Sequence, residues 1–178
     1  CFNMKNTKPT PTPLPMSIQL SDRDSPSTNK ERELNGKIPY ASTVGSIIYA
    51  MVVTQHDLAY VVGVASRYIS NPGWKHWEAV KHIIRYVRGI ENAQLTFSSK
   101  KSTEVEGYND SHYAENLDNR KLTSGYIFTY NNAIISWRSK LQECMALSTT
   151  KSKYITMLKV EKEAIWLNRQ TTNFSATR

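Results

Sequence analysis

Apolar residues recur every three or four positions in three consecutive stretches between residues 40 and 89. The first stretch follows Ser42, a candidate N-cap, and the third is bounded by Asn71-Pro72-Gly73 and Gly89. This spacing predicts three helices whose apolar faces share one core. The apolar positions are Val44, Ile47, Ile48 and Met51 in the first helix, Leu58, Val61, Val62, Ala65, Tyr68 and Ile69 in the second, and Trp77, Val80, Ile84 and Val87 in the third.

From residue 94 the period shortens to two, which is typical of strands. Strands are predicted at 94–97 and 104–110. A hairpin follows, in which aromatic residues alternate on both sides of Asn131-Asn132, a pair that tolerates the positive φ of a tight turn. Ser148 and Thr150 are candidate N-caps of a final helix. Its apolar face is expected to cover the sheet and comprises Tyr154, Met157, Leu158, Ile165 and Leu167.

The first 39 residues differ in composition from the rest, because they hold six of the seven prolines and no aromatic residue after Phe2. Such a tract buries too little apolar surface to fold and is predicted to be a disordered linker. The proline-rich run at 9–15 is typical of polyproline II, so a ligand for an SH3-like module is the functional alternative. The predicted organisation is a linker at 1–39, helices at 40–92, a mixed domain at 93–170 and a disordered tail at 171–178.

The net charge of +8 favours an anionic partner such as nucleic acid. Lys81, Arg85 and Arg88 form a basic row along the third helix beside His82, interpreted either as phosphate contacts or as a solvated face. The two cysteines have no zinc-ligand spacing. No apolar run reaches the ~18–20 residues of a membrane span, and the start shows no signal-peptide pattern. No membrane partner is therefore expected. The expected location is intracellular, in the cytoplasm or the nucleus.

Four segments of the second half resemble the ribonuclease H domain of copia-type LTR-retrotransposon Pol polyproteins. They are GYND at 107–110, DNRKLTSGYIF at 118–128, SWRSKLQ at 136–142 and ALSTTKSKY at 146–154. The resemblance implies hydrolysis of the RNA strand of an RNA–DNA hybrid, with carboxylates that hold two divalent ions, Mg²⁺ in the family.

The helical half resembles the segment between the polymerase palm and the ribonuclease H domain. The matching segments are YASTVGSIIYAM at 40–51, DLAYVVGVASRY at 57–68 and HWEAVKHIIRYVRG at 76–89. In the family this thumb and connection region grips the template–primer duplex. The implied fold class is α+β, with thumb/connection-like helices followed by a truncated ribonuclease H-like fold of antiparallel strands and one long helix. The implied partners are an RNA–DNA hybrid or duplex nucleic acid and the remainder of the Pol polyprotein.

The candidate metal site departs from the family pattern. The first family carboxylate falls on Asp110, but the usual second Asp is His112 and the helical Glu is Lys153. The third carboxylate lies beyond Arg178 in the family. Asp110 is thus the only matched catalytic and metal-binding position, and the resemblance implies a vestigial site that binds no Mg²⁺ productively.

The entry to the last helix is altered even without the family comparison. An acidic residue three positions after Ser148 or Thr150 would complete a capping box, yet Lys151 and Lys153 stand there. Cations in a first helical turn oppose the helix dipole, by ~0.3–1 kcal/mol each when exposed. A solvated basic face is the alternative interpretation of these lysines.

The four histidines, His56, His76, His82 and His112, lack partners at metal-ligand spacing, and surface or capping roles are expected for them. The alternative for His112 is a weak transition-metal site with Asp110. The sequence therefore predicts a catalytically inactive fragment of a retrotransposon Pol polyprotein. The alternatives are a non-catalytic nucleic-acid-binding module derived from a transposon and an unselected pseudogene product.

Overall fold

The computed structural model describes residues 7–15, 17–92, 104–112, 118, 121–142 and 148–176. The chain divides into two compact units, Cys1–Gln94 and Leu95–Arg178. The described part is mixed α and β, with five α-helices and a three-stranded antiparallel sheet. No helix in this part is long and apolar enough to cross a membrane. The strand predicted at 94–97 lies outside the described residues.

The first unit is helical and contains the three predicted helices. Helix α2 begins two residues before Ser42, whose hydroxyl donates to the Pro39 carbonyl at 3.2 Å, so the prediction that Ser42 caps this helix is wrong. The start is instead fixed by Tyr40, which is buried and donates its hydroxyl to the Ala65 carbonyl at 2.8 Å. The helices are α1 (Asn29–Asn35), α2 (Tyr40–Val53), α3 (Ala59–Ser66) and α4 (Trp74–Gly89), with short 3₁₀ turns at Asp22–Asp24 and His56–Leu58.

The core of the first unit forms where α2, α3 and α4 meet. Burial of each large aliphatic side chain there stabilises the unit by ~1.5–3 kcal/mol. In α4 both Val80 of the predicted stripe and Ile83, which the stripe did not include, are fully buried, whereas Ile84 and Val87 of the stripe are only partly buried. The buried residues of this core are Tyr40, Val44, Ile47, Leu58, Val61, Val62, Ala65, Val80 and Ile83.

Residues 7–15 and 17–28, which the sequence predicted to be disordered, pack against the helices. Leu20 is buried with Val64, Tyr68 and Ala79, and its carbonyl accepts from the Tyr68 hydroxyl at 3.0 Å. Leu14 and Ile18 pack on the same cluster. The few apolar residues of the tract thus find partners on α3 and α4, which a composition average could not show.

Helix α1 lies inside the predicted linker and has a complete capping box. The Glu31 amide donates to Thr28 Oγ1 at 3.3 Å, and the Glu31 carboxylate accepts from the amides of Thr28 and Ser27. These backbone hydrogen bonds lower the pKa of the Glu31 carboxyl. The Thr-x-x-Glu signature was present in the sequence and indicates a helix start.

The side chain of His76 is buried at the start of α4 and joins three chain segments. Its Nδ1 accepts from the Gly73 amide at 2.9 Å, and its Nε2 lies 3.1 Å from the Ser21 carbonyl oxygen. The ring stacks on Tyr68 with centroids 4.1 Å apart. Because one nitrogen accepts and the other must donate, this geometry requires the neutral ring with its proton on Nε2.

The second unit is a sheet with strand order β1-β2-β3 followed by a long helix. Asn131 and Asn132 adopt φ values of 51° and 61°, which confirms the predicted positive-φ turn between β2 and β3. The elements are β1 (Val105–His112), β2 (Thr123–Tyr130), β3 (Ala133–Leu141) and α5 (Thr149–Ala176).

Helix α5 packs on the sheet through a mostly polar face. Ser152 and Thr156 are buried, as is Leu167. The prediction that the apolar residues of this helix cover the sheet is wrong for four of its five positions, since only Leu167 is buried. The exposed positions are Tyr154, Met157, Leu158 and Ile165. The face that is turned to the sheet contains Ser152 and Thr156, and the helical period alone did not reveal which face of α5 that would be.

We expect the free energy of unfolding of the first unit to decrease as the pH is lowered, because His76 must then take up a proton. Burial, the largest effect, lowers the pKa of His76 below its ordinary 6.5, although Asp24 and Asp22 oppose the change. A depressed folded-state pKa means that the stabilisation is complete above 6.5 and is lost as the pH falls through the folded-state value. Urea denaturation from neutral pH to about pH 5 should show this loss. His76→Asn should be less stable and should lack that part of the pH dependence; an unchanged slope would contradict the assignment.

A matched pair of glycine substitutions tests the packing of residues 7–28. A Cβ at Gly73 would lie 1.8 Å from the Asp24 carbonyl oxygen, whereas one at Gly45 in α2 would meet nothing within 4 Å. Gly73→Ala should therefore destabilise the first unit by ~1–3 kcal/mol, and Gly45→Ala should stabilise it by ~0.5–1 kcal/mol. Thermal unfolding measures both. A neutral Gly73→Ala would mean that the tract does not lie against α4.

Candidate functional site

Asp110, which the motif resemblance aligns with the family's first carboxylate, lies on β1 with its side chain exposed. It pairs with Gly125 of β2, and the neighbouring pair is Ser111 with Ser124. The Ser124 hydroxyl lies 2.7 Å from Thr156 Oγ1 of α5, so Ser124 faces the helix. Successive residues of a strand alternate between faces, and directly paired residues share one. Asp110 is therefore on the face of the sheet opposite α5.

Lys153, which the motif resemblance aligns with the family's helical carboxylate, is exposed on α5. Because α5 covers the other face, the structure does not bring Asp110 and Lys153 to one face of the sheet. Among the described residues no group of three His, Cys, Asp or Glu side chains could hold a metal ion. The side chain of His112 is outside the described part. The residues that the structure describes do not fit a two-metal site, which needs several carboxylates around the same ions.

The N-terminal cap of α5 is Ser148 and not Thr150. The Lys151 amide donates to Ser148 Oγ at 3.2 Å, which places Lys151 at the third helical position, where a capping box has Glu or Gln. The first turn of the helix contains no acidic residue. The predicted altered entry is thus present, with one lysine at the capping position and Lys153 two residues further on.

The basic row of α4, which comprises Lys81, Arg85 and Arg88, lies beside the N-terminal tract, by which we mean residues 7–15 and 17–28. Arg88 Nη1 donates to the Thr7 carbonyl at 2.9 Å, and Lys81 Nζ lies 4.8 Å from the centroid of the Trp74 ring. Arg85 Nε is buried and has no hydrogen-bond partner in the described part of the chain. All three predicted nucleic-acid-binding residues are on one helix, but two of them already make contacts within the unit.

A second set of cations lies in the second unit and was not singled out from the sequence. It lines a concavity of about 290 Å³ between α5 and the sheet, which we term the cationic groove. The strand register places Arg138 opposite Tyr126 and Lys140 opposite Ser124, all on the face that α5 covers. The spacing of these residues in the sequence could not predict that Arg138 and Lys140 lie close to the lysines of α5. The residues that line the groove are Ser124, Tyr126, Arg138, Lys140, Thr156, Lys159, Lys162 and Glu163.

Comparison with known proteins finds transposon polyproteins among the relatives. The retrovirus-related Pol polyprotein from transposon TNT 1-94 of Nicotiana tabacum is 49% identical over 168 residues, which are 94% of this chain and 13% of that protein. The corresponding polyprotein from transposon RE2 of Arabidopsis thaliana is 30% identical over 128 residues, 72% of this chain and 9% of that protein. The chain thus spans a small part of either polyprotein.

A shorter relative matches over most of its own length. The secreted RxLR effector protein 161 of Plasmopara viticola is 41% identical over 134 residues, which are 75% of this chain and 94% of that protein. No protein-family model matches the chain. No solved structure matches it either.

A single substitution tests the altered helix entry. Lys151→Glu should complete the capping box with Ser148 and reverse an unfavourable interaction with the helix dipole, which together should stabilise the second unit by ~0.5–2 kcal/mol. Lys151→Ala is the control, because it removes the charge without adding the reciprocal hydrogen bond. Thermal unfolding should rank Glu above Ala and Ala above the parent. Equal stability of the Glu and Ala variants would show that α5 does not begin at Ser148.

Proposed function

The chain belongs to the family that includes the retrovirus-related Pol polyproteins of plant transposons, and on that basis we propose that it is a non-catalytic, nucleic-acid-binding part of such a polyprotein. In this proposal the first unit corresponds to the thumb and connection helices that follow a polymerase palm. The second unit corresponds to the beginning of a ribonuclease H-like domain, and the remainder of the polyprotein is the partner of both.

The order of elements in the second unit supports its proposed origin. Three antiparallel strands precede one long helix, and Asp110 lies on the first strand. This is the arrangement that the resemblance of GYND, DNRKLTSGYIF and ALSTTKSKY implies for the start of a ribonuclease H domain.

The position of Asp110 carries the proposal that the chain does not hydrolyse RNA. Hydrolysis by two divalent ions needs carboxylates that converge on the ions from neighbouring elements. Here Asp110 is on the sheet face opposite α5, and the helical position has the cation of Lys153. A cation at that position repels a divalent ion and cannot act as its ligand.

Electrostatics supports the retained binding of a hybrid or duplex. A net charge of +8 attracts polyanions regardless of their sequence. Lys81, Arg85 and Arg88 recur along one side of α4 and would contact phosphates of the duplex. Arg88 would have to exchange its hydrogen bond with the Thr7 carbonyl for a phosphate oxygen.

Cleavage and binding assays on the full chain test this function. With a labelled RNA–DNA hybrid in Mg²⁺ or Mn²⁺ we expect binding without cleavage. Contact with three phosphates of a duplex should give a slope of log K against log salt of roughly −3. Replacing Lys81, Arg85 and Arg88 by Ala should remove most of that slope.

The matched control replaces Lys30, Arg32 and Lys37, three exposed cations of the same unit, by Ala. It should retain the slope. Metal-dependent cleavage that Asp110→Asn abolishes would disprove the non-catalytic role. Equal losses in the two triple variants would disprove the role of the α4 row.

A further inference from the structure

We propose that the cationic groove of the second unit binds the phosphodiester backbone of a single-stranded nucleic acid. The inference rests on the proposed nucleic-acid-binding function and assigns it a second site. This site is distinct from the α4 row, because every residue that lines it belongs to the other unit.

Cations approach the groove from both of its walls. Arg138 and Lys140 alternate along β3 and share the face of the sheet that α5 covers. Lys159 and Lys162 come from α5, three residues apart and thus on one side of the helix. A ligand in the groove would therefore have a positive charge on either side of it, which favours the negatively charged phosphates of a nucleic-acid backbone.

The charges of the groove are poorly balanced within the chain. Among the described residues, Glu163 is the only carboxylate that lines it, and its Oε1 accepts a hydrogen bond from Ser136 Oγ at 2.9 Å. In the described part, Arg138, Lys159 and Lys162 have no ion pair with a carboxylate. Their side chains are exposed, so an incoming anion does not have to displace an internal partner.

The floor of the groove is held in place by hydrogen bonds. Ser124 Oγ lies 2.7 Å from Thr156 Oγ1 and accepts from Gln142 Nε2 at 2.7 Å. Gln142 Nε2 also donates to Ser152 Oγ at 2.9 Å. Because these contacts join the sheet to α5, they fix the separation of the two cationic walls.

Tyr126 gives the groove an aromatic surface beside its cations. Its ring is in edge contact with Phe128, with centroids 5.5 Å apart, which restricts its orientation. Basic grooves with an aromatic side chain are typical of single-strand binding, since the cations follow the backbone and a base stacks on the ring. The ring beside the cations of this concavity of about 290 Å³ favours a single strand, whose bases are free to stack on it, over a duplex, whose bases already stack on one another.

The test measures binding of a labelled oligothymidylate to the full chain by fluorescence anisotropy as a function of salt. Lys159→Ala/Lys162→Ala should weaken binding at low salt by roughly tenfold or more and reduce the slope of log K against log salt by about 1.4, since each single-strand contact contributes about 0.7. Lys151→Ala/Lys153→Ala removes the same charge from the same helix outside the groove. It should leave the slope nearly unchanged.

A gain of affinity provides a test that misfolding cannot imitate. Glu163→Gln removes the one carboxylate of the groove and keeps an oxygen that can accept from Ser136, so binding should strengthen several-fold. Equal losses of affinity in the two double-lysine variants, or no gain of affinity with Glu163→Gln, would disprove binding of the single strand in the groove. Binding of duplex but not of oligothymidylate by the parent would overturn the groove and leave the proposed function intact. Binding of neither would overturn both.

Discussion

The first unit depends on an imidazole that must stay neutral. His76 accepts from Gly73, lies within hydrogen-bond distance of the Ser21 carbonyl oxygen and stacks on Tyr68, so one ring fastens the N-terminal tract to two helices. A second ring proton would oppose the Gly73 amide, which is itself a donor, inside a site without water access. The N-terminal tract is consequently part of the fold, although its composition is that of a linker.

The second unit depends on a polar contact in place of an apolar one. Ser124, Gln142, Ser152 and Thr156 form the hydrogen-bonded seam between the sheet and α5. A buried network of this kind specifies which helix face meets the sheet, because a rotation of α5 would break the hydrogen bonds that Ser124 and Gln142 make with Thr156 and Ser152. The consequence is that α5 exposes its bulky apolar residues and that Asp110 is on the sheet face remote from the helix.

The two units differ in how their charged side chains are placed. In the second unit Asp110 lies on the sheet face remote from α5 and lysines occupy the entry to that helix, and both units carry exposed cations. In the first unit the N-terminal tract contacts part of that charge through Arg88, whose Nη1 donates to the Thr7 carbonyl. In the second unit the cationic groove is open, and its walls come from elements far apart in the chain.

The sequence predicted the structures that depend on contacts between residues close together in the chain. It did not predict which distant residues pack against each helix or strand. The three helices, the Asn131-Asn132 turn and the cap at Ser148 follow from contacts within a few residues, which is why periodicity and turn chemistry predicted them. The capping box of α1 was equally local and readable, but the proline-rich composition around it obscured the signal. The motifs located Asp110 and the lysines at the entry to α5. They did not show that the sheet separates Asp110 from these lysines.

Only the tertiary structure decided which face of α5 is buried, where residues 7–28 pack and that Arg138 and Lys159 share a groove. A repeat of 3.6 or 2 residues tells which side chains share a face, and the choice between faces is made by distant groups whose hydrogen bonds and volumes fit.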